Sequence, residues 1–308
     1  MTTRLYSHGA CLDHDTGPGH PERPDRLRAV LTALETEPFQ DLVRLEAPHA
    51  SREQLLRVHP AAHVDRVLAA LPSEGFARVD PDTVVSAGSG EAALRAAGAV
   101  CAAVDAVLAG EARNAFCAVR PPGHHAEPNR AMGFCLFNSV AVGALHARAA
   151  HGVTRIAVID FDVHHGNGTQ AAFQADPDLV YVSSHQSPLY PGTGAASETG
   201  VGNIHNAPLP PFAGSKQFRD AYERELLPVL RSFAPELVLI SAGFDAHADD
   251  PLANMMLSDA DYGWITAELC KLANETCGGK VVSTLEGGYD LAALGRASAA
   301  HVSALLTH

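Results

Sequence analysis

Four short stretches of this 308-residue chain gather side chains able to do chemistry, and each follows an apolar run. Ile156-Ala157-Val158-Ile159 leads into Asp160-Phe161-Asp162-Val163-His164-His165-Gly166-Asn167-Gly168-Thr169. Residues two apart in an extended chain point to one side, so Asp160, Asp162 and His164 are expected to share a face. Carboxylate and imidazole together are good ligands for first-row metals. Leu237–Ala242 leads into Gly243-Phe244-Asp245-Ala246-His247-Ala248-Asp249-Asp250-Pro251, where Asp245 can add a second carboxylate. Three protein ligands with an open fourth position describe a catalytic metal site. Lone acids at strand ends are common, and the spacing by itself leaves open an ordinary set of solvated loop polars.

The other two stretches supply proton-transfer and hydrogen-bonding groups. Phe116–Arg120 precedes Pro121-Pro122-Gly123-His124-His125-Ala126. Imidazole titrates near neutral pH and suits general acid–base work. The second nitrogen of a buried histidine is usually fixed by a carboxylate or amide, and Asp160 and Asn167 are available. Val281–Leu285 ends in Glu286-Gly287-Gly288-Tyr289-Asp290. The paired glycines allow close backbone approach and would present the Tyr289 hydroxyl to a carbonyl oxygen. Each motif alone is weak; the combination points to one convergent site.

Convergence demands a scaffold. Strands are expected at Arg4–Ser7, Phe116–Arg120, Arg155–Asp160, Leu179–Ser184, Leu237–Ala242 and Val281–Leu285. Their apolar character is continuous rather than alternating, which suits a parallel sheet covered on both faces. Helices are expected at Glu22–Leu34, Ser89–Ala109, Asn138–His151, Gln217–Ser232 and Ala260–Asn274. This alternation argues for an α/β architecture, in which ligands bind outside the carboxyl ends of the strands. With no repeat and no linker in view, residues 1–308 read as one domain.

Composition narrows the function. The 22 Lys and Arg residues are scattered and the net charge is −13, so no basic patch for nucleic acid is visible. No stretch approaches the roughly 18 apolar residues of a membrane span. With no signal-peptide pattern at the start, a soluble, cytoplasmic protein is expected. The six scattered cysteines show no zinc-finger or thioredoxin spacing and read as buried thiols. An acidic surface favours cationic small molecules or lysine-bearing partners, and it suits plain solubility equally well.

Taken in order, the motifs resemble the zinc-dependent histone deacetylase family of the arginase/deacetylase superfamily, including its bacterial amidohydrolases. The likeness begins at His20-Pro21-Glu22-Arg23-Pro24 with Arg26-Leu27, and runs through Arg120–Ala126 and Gly133-Phe134-Cys135-Leu136-Phe137-Asn138. It continues with Asp160–Thr169, Tyr190-Pro191-Gly192-Thr193-Gly194 and Gly243–Pro251, and closes with Glu286–Tyr289. Asn167 and the Glu-Gly-Gly-Tyr form look closer to class II than to class I enzymes.

The resemblance implies a three-layer α/β/α fold around a central eight-stranded parallel sheet. It implies one Zn2+ per chain, held by Asp162, His164 and Asp245, and a K+ or Na+ near Asp160 with carbonyls of Asp162, His164 and Ser183–Ser184. It makes His125 the general base, partnered by Asn167, and His124 an electrostatic partner held by Asp160. Tyr289 would polarise the acetyl carbonyl, and Phe134 would line the substrate tunnel. The implied substrate is an acetylated lysine or other acetylated amine. A two-metal ureohydrolase would want a further carboxylate where Gly166 stands, and an inactive acetyl-lysine-binding module should have lost a ligand or the tyrosine. Polyamine-selective relatives carry a Glu just after the Asp-Pro, where this chain has Leu252, so acetyl-lysine is favoured over acetylpolyamine. Oligomeric state is not legible.

Overall fold

The apolar runs form strands that lie side by side, although the one expected at Phe116–Arg120 begins and ends earlier, at Asn114–Cys117. The computed structural model describes residues 2–308. Its main strands are β1 (Thr3–Ser7), β2 (Val43–Glu46), β5 (Asn114–Cys117), β6 (Ile156–Asp160), β7 (Leu179–Gln186), β8 (Ile204–Leu209), β9 (Leu237–Ala242) and β10 (Val281–Leu285); β3 (Ala77–Asp80) and β4 (Thr83–Val85) form a separate antiparallel hairpin. The main sheet has eight strands in the order β2-β1-β5-β10-β9-β6-β7-β8, and every pairing is parallel.

The helices are α1 (Pro24–Ala33), α2 (Arg52–Leu56), α3 (Ala61–Ala69), α4 (Ser89–Leu108), α5 (Ser139–His151), α6 (Asn167–Phe173), α7 (Ser215–Ala221), α8 (Leu227–Phe233), α9 (Asp259–Cys277) and α10 (Leu291–Thr307). α4 and α5 pack together on one face; α1, α9 and α10 cover the other. Strands β5, β6, β7, β9 and β10 are buried along their whole length between these layers. That double cover explains the unbroken Val/Ile/Leu runs.

Two departures from the sequence reading have physical causes. The edge strands β2 and β8 lack such runs: β2 is exposed throughout and β8 carries His205, Asn206 and Pro208, as an edge tolerates. The helix expected over Gln217–Ser232 is broken by a π turn at Tyr222–Leu226, just ahead of Pro228. Proline lacks the N–H and crowds the preceding turn, which widens the helix there.

The register sets the level of the site. Cys117, Thr284, Ser241, Asp160 and Ser183 lie in one row across β5, β10, β9, β6 and β7. The four chemistry-bearing loops therefore leave four adjacent strands at the same height, at their carboxyl ends.

Candidate active site

β6 ends at Asp160, so the alternation expected through His164 does not arise from strand pleating. The chain turns instead, and Asp160 stays outside the cluster that Asp162 and His164 join. Its Oδ2 is 2.9 Å from His124 Nδ1 and accepts from the Tyr181 hydroxyl at 3.0 Å, while Oδ1 accepts the Asp162 N–H at 3.1 Å. Asp162 and His164 converge with Asp245 from the β9 loop, and one ligand atom from each lies within 4.8 Å of the others. His164 Nδ1 is 3.2 Å from a carboxylate oxygen of each.

Backbone amides hold the two acids in place. Asp162 accepts from the N–H of Gly287 at 2.8 Å and of His164 at 2.9 Å; Asp245 accepts from Val163 N–H at 2.9 Å. A Cβ at Gly287 would collide with both carboxylates, and one at Gly243 with Asp162, so these strand-end glycines are required by close approach. Both acids are fully buried. Burial works to raise the Asp162 pKa, but the charges of His124 and His164 overcome it and hold the group well below its usual range. Burial and then the Asp162 charge raise that of Asp245. Burial works to lower the His164 pKa, yet hydrogen bonds to both carboxylates push it up to about 10. Two buried carboxylates thus demand positive charge at one point beside an imidazole nitrogen. A divalent cation satisfies that demand, and the N/O donor set suits zinc.

A second metal-like cluster, Asp105, His146 and His151, joins α4 to α5 away from the strand ends. There the Arg57 guanidinium lies 2.6 Å from His146 Nδ1, which sets positive charge against a cation. Only the first cluster is buried throughout.

The tandem histidines sit in opposite electrostatic environments. Burial works to lower the His124 pKa, but the charges of Asp160 and Asp162 outweigh it and hold the group well above the ordinary range. His125 is driven well below that range, by burial first and then by the charges of His124 and His164. Its Nδ1 is 2.8 Å from Asn167 Oδ1, and Asn167 Nδ2 is 2.8 Å from a Glu127 oxygen. A carboxylate only accepts, so Glu127 fixes which end of the Asn167 amide is the oxygen. That oxygen accepts a hydrogen bond from the Nδ1–H of His125, which leaves Nε2 with a free lone pair.

His125, His164 and Tyr289 all line one cavity of about 210 Å3, whose walls also include Phe134, Leu189, Tyr190, Leu252 and Asp82; His124 does not reach it. Among the described residues the Tyr289 hydroxyl has no hydrogen-bond partner. Its ring lies edge-on to Phe134 at 5.9 Å between centroids, with the Arg26 guanidinium 4.7 Å over its face. Phe134 itself has φ +67°, a conformation that costs a non-glycine residue about 1 kcal/mol. Its N–H donates to Thr83 Oγ1 at 3.1 Å, which anchors the turn.

The family model for the histone deacetylase domain matches residues 20–305. The chain belongs to this family. It is 40% identical to the histone deacetylase-like amidohydrolase of Pseudomonas aeruginosa, over 93% of this chain and 81% of that protein. It is 39% identical to the chloroplastic histone deacetylase 14 of Arabidopsis thaliana, over 98% of this chain and 76% of that protein. A crystal structure of the HDA15 HD domain superposes with TM-score 0.93 at 36% identity, covering 100% of this chain and 88% of the other. The fold is therefore the α/β deacetylase fold, and the chain is a hydrolase of the deacetylase class, in a family that is zinc-dependent in general.

In this deacetylase several supporting residues went beyond what the motifs suggested. Glu286 accepts from Gly123 N–H at 2.6 Å, His124 N–H at 3.1 Å and Ser241 Oγ at 3.1 Å, tying the histidine loop to β9 and β10. Burial pushes its carboxyl up to about 7. Asp250 accepts the Tyr289 N–H at 2.6 Å. Arg26, fully buried, donates to the carbonyls of Gly288 and Glu286 and pairs with Glu22 at 3.0 Å. Asp82, Leu189 and Tyr190 line the cavity without having stood out; Tyr190 carried a signal, since its motif belongs to the family pattern.

Proposed function

We propose that residues 1–308 form a single deacetylase domain that hydrolyses the acetyl amide of acetyl-lysine or a lysine-like amine. The observation that carries this reading is the sharing of one cavity by the His125 imidazole, the Tyr289 hydroxyl and His164 of the acidic cluster. Zn2+ held by Asp162, His164 and Asp245 would supply Lewis-acid polarisation of the acetyl carbonyl and acidify the attacking water. His125, neutral and with Nε2 free, takes the proton from the water as its oxygen attacks the carbonyl carbon. The same proton passes to the amine nitrogen as the C–N bond breaks, leaving acetate and the free amine. Tyr289 donates its hydroxyl proton into a hydrogen bond with the developing oxyanion. His124, held as an imidazolium by Asp160, adds positive charge without moving a proton. Phe134, Leu189 and Leu252 give the cavity apolar walls suited to a methylene chain. A K+ or Na+ beside Asp160 would be a further structural ion.

Leu252 supports acetyl-lysine over acetylpolyamine, because no acid stands there to meet a second ammonium. Asp82 at the cavity wall is the feature that favours the acetylpolyamine reading. No helix among the described residues is long and apolar enough to cross a membrane; a cytoplasmic location is a separate part of this proposal. The deciding experiment is turnover of a matched panel: acetyl-lysine peptides, trifluoroacetyl-lysine, acetylputrescine and acetylspermidine. Acetyl-lysine peptides are expected to be the best substrates; a clear lead for acetylputrescine would transfer the assignment to polyamines, and no turnover of any member would overturn it.

A further inference from the structure

Acids outnumber bases by 35 to 22 in this chain, and nearly every cation has found a carboxylate. Among the described residues only Arg44, Arg66, Arg78, Arg113 and Lys280 lack an ion-pair partner. Two of these five, Arg66 and Arg78, line the same surface cavity of about 510 Å3, and Arg130 joins them there. The one acid in its lining, Asp80, is already neutralised by Arg130 at 2.8 Å. An unpaired guanidinium pair in so acidic a protein marks a place where negative charge is to be supplied from outside.

The groove adjoins the mouth of the active-site cavity. Its wall includes Asp80 at the end of β3, and the cavity wall includes Asp82, two residues on. Its lining also includes Arg130 and Ala131, and the cavity includes Gly133, whose N–H donates to Asp82 at 3.0 Å. Two residues of extended chain span about 7 Å, so a peptide leaving the mouth reaches the groove within roughly two to four residues. We infer that this groove binds a carboxylate-bearing flank of the acetylated substrate, so that peptides with Asp or Glu near the acetyl-lysine are preferred. The inference rests on the acetyl-lysine reading above, and it disfavours substrates whose flank is cationic, polyamines included.

Three peptides identical except for the flank, acidic, alanine or lysine, test it on the zinc-loaded enzyme. The acidic flank is expected to lower KM by about 3- to 10-fold against alanine, the range of two partly exposed ion pairs. The lysine flank should raise it, and the spread should shrink with added salt. Arg78→Glu should abolish or reverse the preference, with the alanine-flank peptide turned over as before. The Arg66→Gln/Arg78→Gln pair should also abolish it, since glutamine can still donate to the Asn129 carbonyl that Arg66 now serves. A parent enzyme whose three KM values agree within twofold, or a preference untouched by both variants, would overturn the inference while leaving the deacetylase reading intact. If no peptide is turned over, that reading falls. Anisotropy of the same labelled peptides then decides the groove alone, an arginine-dependent affinity order supporting it and equal affinities overturning it.

Discussion

Replacing Tyr289 by phenylalanine removes one oxygen from the cavity wall and leaves everything that holds the residue in place. The ring keeps its edge-on contact with Phe134 and its place under the Arg26 guanidinium. The backbone keeps its N–H bond to Asp250 at 2.6 Å. Because the hydroxyl makes no hydrogen bond within the protein, its loss leaves no buried partner unsatisfied. The folding free energy should therefore change by no more than about 0.5 kcal/mol, as for a surface substitution. Loss of one preorganised donor to an oxyanion costs about 3–4 kcal/mol, or 100- to 1,000-fold in turnover. The donor acts on charge that develops after binding, so kcat and kcat/KM should fall together with KM little changed. Steady-state kinetics on an acetyl-lysine peptide and a melting curve on the same preparation give both quantities. Turnover within about threefold of the parent would refute the role of the hydroxyl, as would a loss of activity matched by a loss of stability.

Four further outcomes follow from the structure. His125→Ala should lower turnover by about 100-fold or more with metal content unchanged. Glu127→Leu, which frees the Asn167 amide to rotate, should produce a smaller loss in the same direction; equal metal-loaded turnover in both variants would reassign the base. Purified protein should hold about one divalent ion per chain, as a three-ligand site implies, with activity lost on exhaustive chelation and restored by Zn2+. His301, fully buried among Phe116, Phe161 and Phe244, is pushed down to about 3 by burial. A histidine whose folded pKa lies below its unfolded value near 6.5 binds a proton on unfolding. Its contribution is therefore intact above pH 6.5 and declines by about 1.4 kcal/mol per pH unit below it. His301→Gln removes that decline, so the stability gap between parent and variant should narrow from pH 6.5 to 4; a gap constant with pH would rule out titration of His301.

Much of the site was legible in the residues themselves. Four times an apolar run was followed within a few residues by a glycine and an acid or histidine, and local order along the chain is what a one-dimensional reading captures. Two inner strands, β9 and β10, were expected at their observed bounds, because double-sided burial leaves an unbroken apolar run. Edge strands and the π turn were not legible, since an edge needs no such run and helix periodicity does not register a widened turn. What only the tertiary structure decided is which groups meet. Asp160 and Asp162 are alike in sequence, yet one grips His124 and the other joins His164 and Asp245, because β6 stops between them. His124 and His125 are adjacent and chemically identical, yet their pKa values move in opposite directions. Asp160 and Asp162 together outweigh burial at one ring, while at the other burial and two neighbouring imidazoles outweigh the pull of Asp162 and the Asn167 amide. The net charge of −13 belongs to the whole surface; three scattered arginines share one groove only because α3, β3 and the loop to Ala131 fold together. Charge, burial and proximity act through space, and the chain encodes them only once it has closed on itself.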